Sequence, residues 1–301
     1  MLAFTAVCMT LSFLGVIDLL SHLANSILTN PEHCLNLLPN SNQKPILEAV
    51  VCGRNLPKEQ LYSALQTTGL LHLIVVSGAH LIAIEYALNK AEKYLRLPKW
   101  ATEAFLIAYT FLTGFQAPLV RALFQRLFER LSMHFQLNHL SIQSNIISAW
   151  TLLAICPSWI NSISFQLSWV ASSILALKPP TRKGLTPRAK NLLRSNCEIY
   201  LALFPILAVL SPPHPLSILI NTIAIPLMGG LIIPLSFFHC LVGESKMFDY
   251  FWTLFVDSMI YTQNTLKLES YNSISNSKTA TAYTLFFTTA LFINSFRIKR
   301  S

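Results

Sequence analysis

The sequence predicts an all-α protein, a polytopic transmembrane helical bundle of about ten spans, some of them broken or re-entrant. The first observation is composition: 53% of the 301 residues are hydrophobic and 12% are charged, whereas soluble domains carry about 25% charged residues. The second is that apolar runs recur along nearly the whole chain. The third is an uneven distribution of the net charge of +9. A water-soluble fold is excluded, because it cannot bury this much apolar surface.

The apolar runs have lengths that suit membrane helices, since a helix needs about 20 residues to cross a bilayer core. They cover residues 4–28, 65–88, 101–115, 142–155, 160–177, 199–210, 216–242, 248–260 and 282–296. The shorter runs, such as residues 199–210, fit tilted, broken or re-entrant segments. The lipid bilayer is therefore the first expected partner.

Basic residues indicate the orientation of these spans. They cluster in residues 90–99, 178–195 and 297–300, and basic connections prefer the cytoplasm. All three clusters can be cytoplasmic only if residues 118–135 cross the membrane despite Arg121, Arg126 and Arg130. Both termini are then expected in the cytoplasm. The same charge would also attract a polyanion.

The chain divides into four parts by composition. Residues 1–30 are expected to be a retained N-terminal transmembrane helix, because they lack the basic n-region of a cleaved signal. Residues 31–64 are expected to be an extracytoplasmic loop and amphipathic segment, where Cys34 and Cys52 could pair in an oxidising compartment. Residues 65–242 form the membrane core, and residues 243–301 form C-terminal transmembrane helices.

Residues 71–80 read LHLIVVSGAH and place polar side chains inside an apolar run. Ser77 and His80 share one helix face, and Gly78 removes side-chain bulk beside them. Either a hydrogen bond closes a helix contact here, or the group lines a polar pathway. His72 lies two turns from His80, about 12 Å along a helix, so no metal site is expected.

An intramembrane serine hydrolase using Ser77 is a further alternative. Rhomboid-type proteases use GxSG, and this sequence has VVSG, with Val75 at the first glycine position. Their histidine comes from a separate helix, whereas His80 follows on the same turn. The dyad of facing nucleophile and base is therefore poorly supported, and the protein is not expected to be an enzyme.

Farther along, residues 111–130 combine a predicted helix break at Gly114 with Pro118 near a helix start and Arg121 in its first turn or so. A guanidinium suits a phosphate. An ion pair of Arg121 with Glu103 or Glu85 is the structural alternative.

Two later apolar segments also carry polar or helix-interrupting residues. Gln166 is an amide on an otherwise apolar span, and Asn221 precedes a segment whose prolines and glycines predict a break that lines a cavity. Those predicted helix-breaking residues are Pro226, Gly229, Gly230 and Pro234.

In order along the chain, four stretches resemble the competence domain of the ComEC family, the bacterial inner-membrane channel for DNA uptake in natural transformation. TGLLHLIVVSGAH at residues 68–80 resembles the central family motif, and TGFQAPLVRALF resembles its RA element. SISFQLSWVAS at residues 162–172 resembles its FQLS element, and residues 204–238 resemble its late segment of prolines and asparagine. The resemblance covers about residues 45–238.

The resemblance implies a multi-pass protein of the bacterial cytoplasmic membrane that conducts single-stranded DNA. Phosphates need donors and positive charge in place of water. The candidate pathway residues are His72, Ser77, Gly78, His80, Arg121, Gln166 and Asn221. A transporter or channel for a smaller solute is the alternative.

The sequence departs from the family pattern in its soluble parts. It shows neither the outer domain nor the metallo-β-lactamase-like domain common in the family, and no HxHxDH metal motif. The resemblance therefore implies separate partners: a DNA-receptor protein outside, a cytosolic ATPase or single-strand-binding proteins inside, and a nuclease subunit. A homo-oligomer is compatible with this arrangement. No cofactor is expected.

Overall fold

The computed structural model describes residues 32–41, 44–57, 60–74, 77–95, 98, 100–136, 141–177, 185–210, 214–265 and 277–298. Within these ranges all regular secondary structure is helical, which confirms the predicted all-α class. The N-terminal transmembrane helix expected over residues 1–30 lies outside the described residues.

The described residues form fourteen α-helices and two single turns of other helical types. In chain order they are α1 (Glu32–Leu35), α2 (Lys44–Cys52), α3 (Gln60–Thr67), α4 (Leu71–Ile74), α5 (Gly78–Leu95), α6 (Trp100–Leu112), α7 (Ala117–His134), α8 (Ser141–Ile155), α9 (Ile163–Ala176), α10 (Leu185–Leu210), α11 (Ser217–Leu227), α12 (Ile233–Val242), α13 (Lys246–Thr265) and α14 (Ser277–Ile298). A 3-10 turn, Pro157–Asn161, precedes α9, and a π-helical turn, Met228–Ile232, joins α11 to α12.

The turn between α6 and α7 lies where Gly114 and Pro118 predict an interruption. The N–H groups of Gly114 and Phe115 donate to carbonyls of the last turn of α6, at 3.1 Å each. This is a Schellman cap, and Gly114 adopts its left-handed conformation with φ of 69°. Pro118 lies in the first turn of α7, where its missing N–H removes no helical hydrogen bond. The turn therefore fixes where α7 begins.

The second predicted break is a continuous helix in the structure. The chain passes from α11 through the π-helical turn into α12, and the whole helix has 26 residues. The N–H of Ile233 donates to the carbonyl of Met228, five residues back, which is the bonding of a π turn. This wider turn keeps the backbone bonded between Pro226 and Pro234, which each lack an N–H. The expected break is thus a local change of helical pitch.

Among the described residues, one helix is both long and apolar enough to cross a membrane by length and composition. It is Ser217–Val242, which comprises α11, the π turn and α12. Three shorter helices are also apolar, namely α6, α8 and α9, and each has between 13 and 15 residues.

The segment expected as an extracytoplasmic loop contributes helices and core residues. On α2, Leu47 and Val50 are fully buried, and they belong to the same apolar cluster as Trp252 of α13. A disulfide joins Cys34 to Cys52 and so ties α1 to the end of α2. Apolar packing as well as the disulfide therefore holds residues 34–56.

Three further apolar clusters follow one another through shared helices. The first joins α5, α6 and α7, the second joins α7, α8 and α9, and the third joins α9, α10 and α14. Because α7 and α9 each take part in two clusters, their relative position is fixed from both sides. The polar side chains between them are held on a rigid frame.

Candidate functional site

Ser77, Gly78 and His80 form the N-terminal cap of α5. The N–H of Ser77 donates to Nδ1 of His80 at 3.1 Å, and the Ser77 hydroxyl lies 3.3 Å from the same nitrogen. The N–H of His80 donates to the Ser77 carbonyl at 3.0 Å. A side chain at the third helical position that reaches back to the capping residue is one half of a capping box. A local hydrogen bond thus orders this turn.

This cap also bears on the serine hydrolase alternative. Because a backbone N–H can only donate, Nδ1 of His80 is an acceptor and the neutral ring carries its proton on Nε2. The basic lone pair is therefore already used by the Ser77 N–H. Nε2 of His80 is buried and has no hydrogen-bond partner among the described residues, whereas a catalytic base is typically oriented by a third group.

Gly78 lies where α5 approaches α7 most closely at this site. A Cβ built on Gly78 would stand 3.1 Å from Cβ of Ala122 and 3.9 Å from Nη2 of Arg121. A separation of 3.1 Å is tighter than nearly all real Cβ contacts. The structure therefore brings the capped turn of α5 and Arg121 together, as the two halves of one site.

Arg121 is 3% exposed, and neutral oxygens hold its guanidinium. Nε donates to the hydroxyl of Ser168 on α9 at 3.1 Å. Nη1 donates to Oδ1 of Asn145 on α8 at 2.5 Å and to Oε1 of Gln125 at 3.0 Å. Among the described residues, no carboxylate forms an ion pair with Arg121. A full positive charge is therefore buried between three helices on neutral hydrogen-bond acceptors.

Asn145 is the centre of this network and was missed by the sequence analysis. Its Oδ1 also accepts from the hydroxyl of Ser172 at 2.9 Å, and its Nδ2 donates to the hydroxyl of Ser173 at 2.8 Å. Asn145 is fully buried. The signal that could have found it is the polar set Ser144, Asn145 and Ser148 within the apolar run of residues 142–155. We call Arg121, Asn145, Ser168, Ser172 and Ser173 the arginine network.

The acidic residues considered for Arg121 pair with other arginines. Arg126, five residues farther along α7, contacts Glu85 of α5 and Glu103 of α6, the latter with 2.9 Å between Nη2 and Oε1. Arg130 also contacts Glu103. The ion-pair alternative for Arg121 is therefore wrong, because both carboxylates lie on the neighbouring Arg126.

Among the described residues, no hydrogen bond joins Gln166 or Asn221 to the arginine network. Nε2 of Gln166 donates to the carbonyl of Ile160 and to the hydroxyl of Thr281, at 2.6 and 3.0 Å, so this amide joins the 3-10 turn to α14. Asn221 lies on α11, and its Oδ1 is buried without a partner among the described residues. The His72 side chain lies outside the described part of the chain. Within that part, no group of three possible metal ligands occurs.

Comparison with known proteins identifies one matching family. A model of the family described as competence protein matches residues 51–300. No curated protein and no solved structure matches the chain. The matched residues run from the end of α2 beyond the end of α14, and they include the cap of α5 and the whole arginine network. Since the match spans well over half of the sequence, the chain belongs to the competence protein family.

Proposed function

We propose that this protein conducts single-stranded DNA across the bacterial cytoplasmic membrane during natural transformation. Membership of the competence protein family gives a role in competence and DNA uptake. The single observation that carries the finer proposal is Arg121, a buried cation without a carboxylate partner among the described residues. An ionisable side chain inside an apolar bundle is by default a functional site, and a guanidinium matches a phosphate.

The proposal includes a multi-pass arrangement of about ten spans with the basic loops in the cytoplasm. The exposed apolar surface of several helices supports this arrangement. Large apolar side chains are exposed on α6, including Phe105 and Phe111, and on the helix of α11 and α12, including Ile223 and Leu241. Water would solvate such faces poorly, whereas lipid tails would cover them at no cost.

Passage of DNA in this proposal requires α5 to move away from α7. Arg121 is nearly fully buried, so a strand reaches the guanidinium only when the contact between Gly78 and Ala122 opens. The side chains at this contact are small, whereas the apolar cluster and the pair of Arg126 with Glu85 hold α5 against α7 elsewhere, so the movement is confined to the start of α5. The conformation described above is, on this proposal, the closed one.

The transport step also needs an energy source outside this membrane core. Each phosphate moves against the membrane potential, at about 2.3 kcal/mol per charge per 100 mV. The proposal therefore includes a cytosolic ATPase or single-strand-binding proteins that pull the strand, with a DNA receptor and a nuclease as further separate subunits.

The test is Arg121→Gln, which keeps hydrogen-bonding capacity and removes the charge. We expect normal protein abundance in the membrane and uptake of labelled DNA lowered at least about tenfold per molecule, equivalent to about 1.4 kcal/mol. Arg194→Gln is the matched control, because Arg194 is exposed and paired within its own helix to Glu198. Uptake by the Arg121 variant equal to that of the control would contradict the proposal. Loss of transport for a small anion, with DNA uptake unchanged, would assign the site to a smaller solute.

A further inference from the structure

We propose that Asn145 is a specificity-determining residue, because it orients Arg121 through a neutral amide and so leaves the guanidinium charge free to attract a phosphate. This inference rests on the proposed passage of DNA beside Arg121. It assigns to α8 a part in that site, although the sequence motifs of the site lie on α5, α7 and α9.

The geometry gives Asn145 two functions at once. Its Oδ1 fixes Nη1 of Arg121 at 2.5 Å, while the hydroxyls of Ser172 and Ser173 fix the amide from the other side. Each polar atom of the Asn145 side chain therefore has a partner on α7 or α9. The amide cannot turn without breaking these hydrogen bonds, so α8 fixes the direction of the guanidinium together with Ser168 and Gln125.

The chemistry of the acceptor decides what Arg121 can attract. An amide oxygen accepts the hydrogen bond and contributes no net charge, whereas a carboxylate in the same place would cancel the charge of the guanidinium. A link from Arg121 to a carboxylate runs through Gln125, whose Nε2 donates to Glu129 at 3.1 Å. The arginine network therefore keeps a net positive charge at the contact between α5 and α7.

The same helix provides an internal comparison. Arg126 of α7 contacts two carboxylates, Glu85 and Glu103, and is neutralised by them. A carboxylate partner stabilises a buried guanidinium better than neutral oxygens do. The neutral acceptor at Arg121 thus stabilises the buried guanidinium less than a carboxylate would. It leaves the positive charge uncompensated, which favours the binding of a passing anion.

The test is Asn145→Asp, which changes charge with almost no change of shape. The new carboxylate still accepts from Arg121 and Ser172, and the Ser173 hydroxyl can turn to donate to it in place of its hydrogen bond to the carbonyl of Trp169. We expect abundance in the membrane equal to or above that of the wild type, with uptake of labelled single-stranded DNA lowered at least about tenfold per molecule. A purely structural role predicts no such loss, since the carboxylate holds Arg121 at least as firmly.

Asn145→Ala completes the design, because it removes the acceptor and keeps the positive charge. On our proposal the alanine variant takes up more DNA per molecule than the aspartate variant, even if its abundance falls. A structural role predicts the opposite order. Asn196→Asp is the matched control for an introduced carboxylate, since Asn196 is buried and its Nδ2 donates to the neutral hydroxyl of Thr222 at 3.0 Å.

The outcomes separate this inference from the proposed function. Uptake by Asn145→Asp within about twofold of the wild type, or failure of that variant to accumulate, overturns the inference. An equal loss per molecule in Asn196→Asp overturns it too, because the effect would not depend on Arg121. Reduced uptake in Arg121→Gln would in each case still uphold the DNA pathway, whereas normal uptake in Arg121→Gln overturns the pathway itself.

Discussion

Gly78 determines how closely α5 packs against α7, and this can be tested by a single methyl group. Gly78→Ala places a Cβ 3.1 Å from Cβ of Ala122. Overpacking of this kind costs about 1–3 kcal/mol, so we expect a lower melting temperature of the purified protein. Ala122→Gly in the same chain removes the opposing methyl group and should restore most of the loss, which a double-mutant cycle measures.

Gly230→Ala is the matched control for this substitution. A Cβ at Gly230 meets nothing within 4 Å, and alanine favours helical backbone over glycine by about 0.5–1 kcal/mol. The control should therefore leave the melting temperature unchanged or raise it. A Gly78→Ala variant as stable as this control would show that α5 does not rest on Ala122.

The sequence predicted the roles of residues that act within one helical turn. It predicted only in part the roles of residues that bind a side chain on another helix. The spacing of Ser77 and His80 predicted a shared face, and one of the two readings was a hydrogen bond that closes a helix contact. The structure gives a hydrogen bond within the turn, as a helix cap. The sequence alone did not decide whether Arg121 binds a phosphate or forms an ion pair with an acidic residue, because Glu85 and Glu103 lie on other helices. Asn145 was missed since its hydrogen bonds exist only after α7, α8 and α9 have packed.

At the scale of elements, α7 carries three arginines in two opposite electrostatic settings. Arg121 lies among neutral oxygens, whereas Arg126 and Arg130 contact Glu103 of α6 and Arg126 also contacts Glu85 of α5. The ion pairs of Glu85 and Glu103 with these arginines join α5, α6 and α7. The two settings therefore divide α7 into a part that ties α5, α6 and α7 together through ion pairs and a part whose buried guanidinium rests on neutral oxygens.

Glu103→Gln tests the structural half of this division. The Glu103 side chain is 16% exposed, and its loss leaves Arg130 without that partner and Arg126 with Glu85 alone. We expect a destabilisation of about 1–3 kcal/mol, seen as a lower melting temperature. Arg54→Gln is the control, since the Arg54 side chain is 57% exposed and a pair formed by an exposed arginine contributes about 0–1 kcal/mol. Equal melting temperatures for the two variants would contradict the assigned structural role.

The interruptions between helices were predicted from sequence with different success at two places. Gly114 and Pro118 predicted the turn before α7, because a Schellman cap and an N-terminal proline are both local in sequence. The Pro and Gly residues of 226–234 predicted a break, and the structure has a π-helical turn within a continuous helix. The same residues permit either result, and packing against α2 and α5 decides which one the chain adopts.

At the scale of the whole molecule, the distribution of basic residues predicts an orientation. A cysteine introduced at Thr186 of α10, beside the basic loop, is expected to face the cytoplasm. Cys8, Cys156, Cys197 and Cys240 are replaced beforehand, so that the new thiol is the reactive one. A membrane-impermeant reagent added to intact spheroplasts should then leave Thr186→Cys unlabelled, and strong labelling there would reverse the orientation.

The predicted orientation has an internal control in the disulfide between Cys34 and Cys52. A disulfide persists in an oxidising compartment and is reduced in the cytoplasm. Mass mapping under non-reducing conditions, in protein isolated with its thiols trapped, should find the two cysteines joined. Free thiols at both positions would contradict an extracytoplasmic location of residues 31–64.

The packing of α2 has a consequence for biosynthesis. Its apolar residues lie in one cluster with Trp252 of α13 and Ile233 of α12, which the ribosome makes only after residues 53–232. The arginine network lies within residues 121–173 and can close while synthesis continues. A nascent chain therefore carries its arginine network before α2 is fully covered, and α2 stays a target for chaperones and proteases until the last third of the sequence arrives.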